Sequence, residues 1–201
     1  MIQNSFPMIE KVENINLQGE WLEPLKRIEP RLQAAGINAF YNVLHKHNDL
    51  QDGEIYVRHR VGKGLKEVEF VKPMQEPKRS VLLPNSFVIV NDWIWPVVWA
   101  IPEDAPQLPN IEMLKLIVSA LLETGKAKQI GFTLLPRPQL TAPEGKTWME
   151  KQIGNRILET KLWNIETDGK AKITNFTSDG AFRKCKNCSL YSDGTHSKGS
   201  H

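Results

Sequence analysis

Both cysteines and two of the five histidines fall in the final stretch "RKCKNCSLYSDGTHSKGSH". Their order is Cys185-x2-Cys188-x7-His196-x4-His201. A CxxC pair offers two thiolates from one turn, and a His-x4-His pair offers two imidazoles at finger-like spacing. Four such donors suit tetrahedral zinc, and Gly194 and Gly199 let the chain double back around a small ion. One structural zinc ion on Cys185, Cys188 and His196 is the expectation, with His201, Asp193 or a partner chain as the fourth donor. The tail holds no evident base to activate a metal-bound water, which favours a structural ion over a catalytic one.

The same end of the chain is basic. From Lys170 to His201 there are six Lys or Arg against two Asp, interleaved with Phe176, Phe182 and Tyr191. A second cationic set, Arg58, Arg60, Lys63 and Lys66, surrounds the turn Gly62-Lys63-Gly64, and Lys78-Arg79 tips the next loop. Cations of this kind neutralise phosphates, and exposed aromatic rings stack on unpaired bases. The expected nucleic-acid contacts are Arg58, Arg60, Lys63, Lys78, Arg79, Arg183, Lys184 and Lys186, with RNA and DNA not distinguished. A plainer reading of the hairpin charges also exists. With a one-residue bulge in the turn, Arg60 would face Glu67 and Arg58 would face Glu69, as stabilising cross-strand pairs.

Two other clusters point to different classes of function. "LHKHNDL" contains His45, His47 and Asp49 at H-x-H-x-D spacing, which resembles the metallo-β-lactamase-type dinuclear hydrolases, although Leu50 stands where their motif continues with histidine. That resemblance implies a metal-dependent hydrolase as the alternative function. The residues Asp193, Gly194, Thr195 and His196 are similar to the end of the CDGSH iron–sulfur motif. Ser192 replaces its cysteine, and the match is too short to carry function. In the second cluster, Trp93, Trp95 and Trp99 crowd one segment, with Trp93 and Trp95 on one strand face. Such a cluster is ordinarily core. Left exposed, it would mark a protein–protein or self-association surface.

The elements that must position these residues follow from pattern and composition. The chain has 201 residues, 40% hydrophobic and 24% charged, with net charge +3. These values describe a globular protein, mildly basic, with no apolar run of membrane-spanning length. The first residues lack a basic leader followed by an apolar core, so a cytoplasmic, reducing location is expected. Residues 19–49 read as two short helices or one bent helix, from Trp21, Leu25, Ile28 and Leu32 and then Ile37, Phe40, Tyr41 and Leu44. Residues 55–61 and 65–71 read as a hairpin, and 81–101 as strands broken by Pro84, Asn91-Asp92 and Pro96. Residues 110–124 form the clearest helix, with Asn110 as cap and Gly125 as stop. "IGFTLLPRP" reads as a strand, "KTWMEKQIGNRILETKLWNIE" as a helix opened by Thr147, and "KAKITNF" as a last strand.

The sum is an α+β domain over residues 1–178, a mixed and mostly antiparallel sheet with about three to four helices. A basic Cys/His tail occupies 179–201, as a small zinc module or a free end. A non-enzymatic nucleic-acid-binding protein is the favoured reading. The hydrolase on His45, His47 and Asp49 and the adaptor or homo-oligomer built on Trp93–Trp99 are the alternatives.

Overall fold

The structure, a computed structural model, describes residues 19–44, 50–75, 81–138, 140–153, 156–165, 172–178 and 182–185, with the backbone alone for 172 and 182–185. The chain enters through a 3-10 turn at Glu20–Leu22 and continues as helix α1, Glu23–Ala34. Leu25, Ile28 and Leu32 make its buried stripe, and Pro24 sits in the first turn where a missing N–H costs nothing. Pro30 lies inside α1 but on its exposed side, so water can take the carbonyl of Lys26 that loses its donor.

The second expected helix is absent. Ala35 ends α1, Gly36 takes φ 70°, and residues 38–43 run on as strand β1, Asn38–Val43. The stop is a Schellman motif: Ile37 N–H donates to the Leu32 carbonyl at 2.9 Å and Gly36 N–H to that of Gln33 at 2.9 Å. Ile37 and Leu32 then join the same apolar cluster.

The remaining strands are β2 (Glu54–Val61), β3 (Val68–Gln75), β4 (Leu83–Val90), β5 (Trp93–Ala100) and β6 (Ile130–Leu135), followed by β7 (Lys146–Ile153), β8 (Ile157–Asn164), β9 (Lys172–Phe176) and β10 (Phe182–Cys185). Helix α2, Ile111–Glu123, lies between β5 and β6. The strands close into a barrel in the order β1-β6-β4-β5-β2-β3-β8-β7-β10-β9, and β9 returns to β1 through Tyr41↔Phe176 and Asn42↔Asn175. Among the described residues, only β2–β5 and β7–β10 pair in parallel. The fold is therefore mostly β with two α-helices, and the expected α+β domain with three to four helices is corrected on this point. The helix expected over 146–166 is replaced by the antiparallel strands β7 and β8, which align Trp148 with Leu162 and Glu150 with Thr160. Residues 182–185, on the tail side of the boundary read from sequence, form β10 and pair with both β7 and β9.

The apolar core lies outside the barrel wall, not within it. Leu25, Ile28 and Leu32 of α1 and Ile117, Ala120 and Leu121 of α2 pack on Ala39, Tyr41, Phe87, Phe132, Leu134 and Phe176 from β1, β4, β6 and β9. Phe87 and Phe132 stack at 5.0 Å with an interplanar angle of 18°. Burial, with the Glu29 carboxylate as a lesser cause, pushes the Tyr41 hydroxyl pKa well up. Gly131 is required by the close approach of β6 to β4, because a Cβ would sit 2.5 Å from the Phe87 carbonyl oxygen. Pro96 is accommodated in β5 because β2 pairs with that strand only at Val98, Trp99 and Ala100, beyond the missing donor.

Helix α2 begins as its sequence dictates, with the Asn110 side chain accepting from the Met113 N–H at 2.9 Å. Asn110→Ala is expected to cost about 1 kcal/mol in urea denaturation. A cost of zero would show that solvent replaces the cap fully.

Candidate nucleic-acid interface

Two of the expected phosphate contacts point into the barrel. The β2–β3 hairpin exists, but its turn is a 3-10 turn at Gly64–Lys66 rather than a one-residue bulge, so Arg60 faces Glu69 and Arg58 faces Val71. The register differs from expectation by two residues. An even shift keeps every side chain on its own face, so the four charges still meet. Arg60 donates from Nε and Nη2 to Glu69 Oε2 at 3.0 and 2.9 Å, while its Nε lies 3.7 Å from Glu67. Arg58 Nε lies 3.3 Å from Glu69 Oε1. The side chains of Arg58, Arg60 and Glu69 are 9%, 6% and 4% exposed, so these arginines present no charge to a ligand at the surface.

The network continues across the interior. Arg58 also donates to Asn85, so this bond spans β5, which stands between their two strands. Asn85 donates to the Leu134 carbonyl at 2.5 Å, Ser86 bonds Thr133 at 2.7 Å, and Asn42 donates to Thr133 at 2.7 Å. On the other wall, Glu150 of β7 accepts from Thr174 at 3.0 Å and Asn175 at 2.8 Å on β9. At one end Arg156 clasps Glu54 through both oxygens, at 3.1 and 2.5 Å. That clasp, helped by the Gln51 N–H, holds the Glu54 carboxyl below its ordinary pKa. The Arg–Glu pairs neutralise one another, Glu150 is held by neutral donors, and this network is structural in character. Where it reaches the far rim, Arg60, Glu67, Leu135, Arg137 and Trp148 line a shallow notch, which the Arg137–Glu67 ion pair spans.

Surface cations gather elsewhere. On the outer face of β7–β8, Lys151 Nζ lies 5.2 Å and Lys161 Nζ 4.9 Å from the centre of the Trp163 ring. Lys161 pairs with Glu159 at 2.6 Å, whereas Lys151 has no carboxylate partner among the described residues. In backbone register, Lys184 of β10 lies beside Met149, which lies beside Lys161. Arg183 lies beside Trp148 and Cys185 beside Glu150. Sequence reasoning missed Lys151, Lys161 and Trp163, because a helix over 147–166 scatters positions that two paired strands align.

Of the other expected contacts, Lys63 is exposed in the hairpin turn. Lys78, Arg79 and Lys186 lie outside the described residues, as do Cys188, His196 and His201 of the expected zinc site and His45, His47 and Asp49 of the hydrolase reading. The strands that lead toward these segments, β1 at Val43, β3 at Gln75 and β10 at Cys185, all end at one rim of the barrel. That rim also carries the Asn91–Asp92 turn. Among the described residues no group of three or more His, Cys, Asp or Glu could hold a metal ion. None of their helices is long and apolar enough to cross a membrane. No family model, curated protein or solved structure matches this chain.

Proposed function

We propose that this is a non-enzymatic protein that binds nucleic acid, RNA or DNA, through phosphate contacts on the outer face of β7–β8. The observation that carries the reading is the sharing of one indole ring by Lys151 and Lys161, with Glu159, on Lys161, the one carboxylate paired with either ammonium group among the described residues. Cation–π contacts of about 0.5–1 kcal/mol each hold both charges in place at an exposed site. The net positive charge left over attracts an anion. In backbone register, Lys184 stands on β10 beside Met149 of β7. Zinc on Cys185, Cys188, His196 and His201 and a cytoplasmic location enter the proposal on sequence alone. Elemental analysis of the untagged chain reads the zinc directly.

The test is the salt dependence of binding. Each phosphate contact on a single strand contributes about 0.7 to the slope of log K against log salt. Lys151→Ala with Lys161→Ala should therefore lower that slope by about 1.4 and weaken binding evenly across sequences. The melting transition should persist, since both side chains are on the surface. Salt-independent binding, or a slope that the double change leaves intact, would sink the proposal.

A further inference from the structure

The two most exposed tryptophans stand side by side. Trp93 is 74% and Trp95 52% exposed. They are two residues apart on β5, on the face opposite Ile94, which packs toward the helix-covered core. The turn before them is tight: Asn91 and Asp92 have φ of 50° and 63°, as a two-residue hairpin with the favoured twist requires. A short rigid hairpin thus holds two indoles at a barrel rim, where so much of their surface stays in water that they do little for folding.

We infer, building on the nucleic-acid reading above, that Trp93 and Trp95 form a stacking platform for unpaired bases, so that the preferred ligand is single-stranded nucleic acid. Residues two apart on a strand are separated by roughly 6.6 Å, about twice the ~3.4 Å advance per nucleotide, so two rings can engage bases of one continuous strand. A duplex hides its base faces and offers such rings nothing. The rim also has cations: the turn between α2 and β6 carries Lys126 and Lys128, one strand away across β4, with no carboxylate partner among the described residues. Asp92 and Asp52 share this rim, so stacking rather than charge does the selecting here, and the phosphate attraction comes largely from β7–β8. A second protein copy is the poorer fit. Two indoles bury at most roughly 150–250 Å² each, against about 800 Å² per partner for a stable interface.

The experiment compares the full chain on a labelled mixed-sequence single strand and on its duplex at one salt concentration, following both the label and tryptophan fluorescence. The single strand should bind more tightly and quench tryptophan emission. Trp93→Ala with Trp95→Ala should weaken single-strand binding by about tenfold or more, leaving duplex affinity and the salt slope unchanged. Trp93→Tyr with Trp95→Tyr should restore most of the loss, because a ring is retained. Equal loss on duplex and single strand, or none on either, overturns the inference. So does a concentration-dependent oligomer that the alanine changes dissolve, which would make this a self-association surface. If Lys151→Ala with Lys161→Ala still weakens binding while the tryptophan changes do not, this inference alone falls. If neither nucleic acid binds, the functional reading falls with it.

Discussion

Glu69→Ala is expected to destabilise the protein by about 3–5 kcal/mol, the cost of breaking a buried ion pair from one side. Glu69 is 3% exposed and accepts twice from Arg60, at 3.0 and 2.9 Å, with Arg58 Nε at 3.3 Å. Removing the carboxylate leaves Arg60 facing the more distant Glu67, at 3.7 Å, and Arg58 on neutral Asn85, so two largely buried guanidinium groups lose their nearest carboxylate. The reason, not only the size, can be tested. Converting Arg58, Glu69 and Arg60 together to methionine should recover much of the loss, because an apolar trio carries no desolvation penalty. Urea denaturation of both variants decides it. A loss under about 1 kcal/mol for Glu69→Ala would mean that the barrel interior is wet.

Phe132→Ala is expected to cost about 3–5 kcal/mol as a cavity substitution on the opposite side of the same wall. Phe132 is fully buried, stacks on Phe87 at 5.0 Å, and belongs to the cluster that joins α1 and α2 to the barrel. Its loss leaves a void between two rigid layers that cannot close over it. The denaturant midpoint should fall while the slope of the transition stays constant, since the surface exposed on unfolding hardly changes. An effect within about ±0.5 kcal/mol, as for a surface change, would show that the helices do not rest on this face.

Much of the fold could be read locally where one signal acted alone. The capped and stopped helix α2, the break between strands at Asn91–Asp92, the pairing of β2 with β3, and strands β6 and β9 follow from turn residues and β-rich runs. The elements misread as helix, β1, β7 and β8, include strands buried on both faces. In β1, Ala39, Tyr41 and Val43 meet the helices while Phe40 is buried from the other side. In β7, Thr147, Trp148, Met149 and Glu150 are all buried. Two-sided burial erases the alternation that marks a strand, and what remains fits a helical period equally well. Gly36 and the Gly154-Asn155 pair were the local clues, and both act as breakers in the sequence.

By itself the sequence determined a globular, mildly basic chain, its α2 helix and hairpins, and which face of the β2–β3 hairpin carries Arg58, Arg60, Glu67 and Glu69. Only the tertiary structure decided that this face is the inside of a barrel, and so that those arginines answer carboxylates instead of phosphates. It likewise decided that Lys151, Lys161 and Trp163 meet on one surface and that Trp93 and Trp95 stay in water. The physical reason is closure. Turn chemistry and periodicity act over a few residues, whereas the pairings that close the wall, β9 with β1 and β10 with β7, join residues far apart in the chain. The side of a strand that becomes interior is settled when those distant edges meet, because only then do the buried charges find their partners and the remaining cations reach the surface.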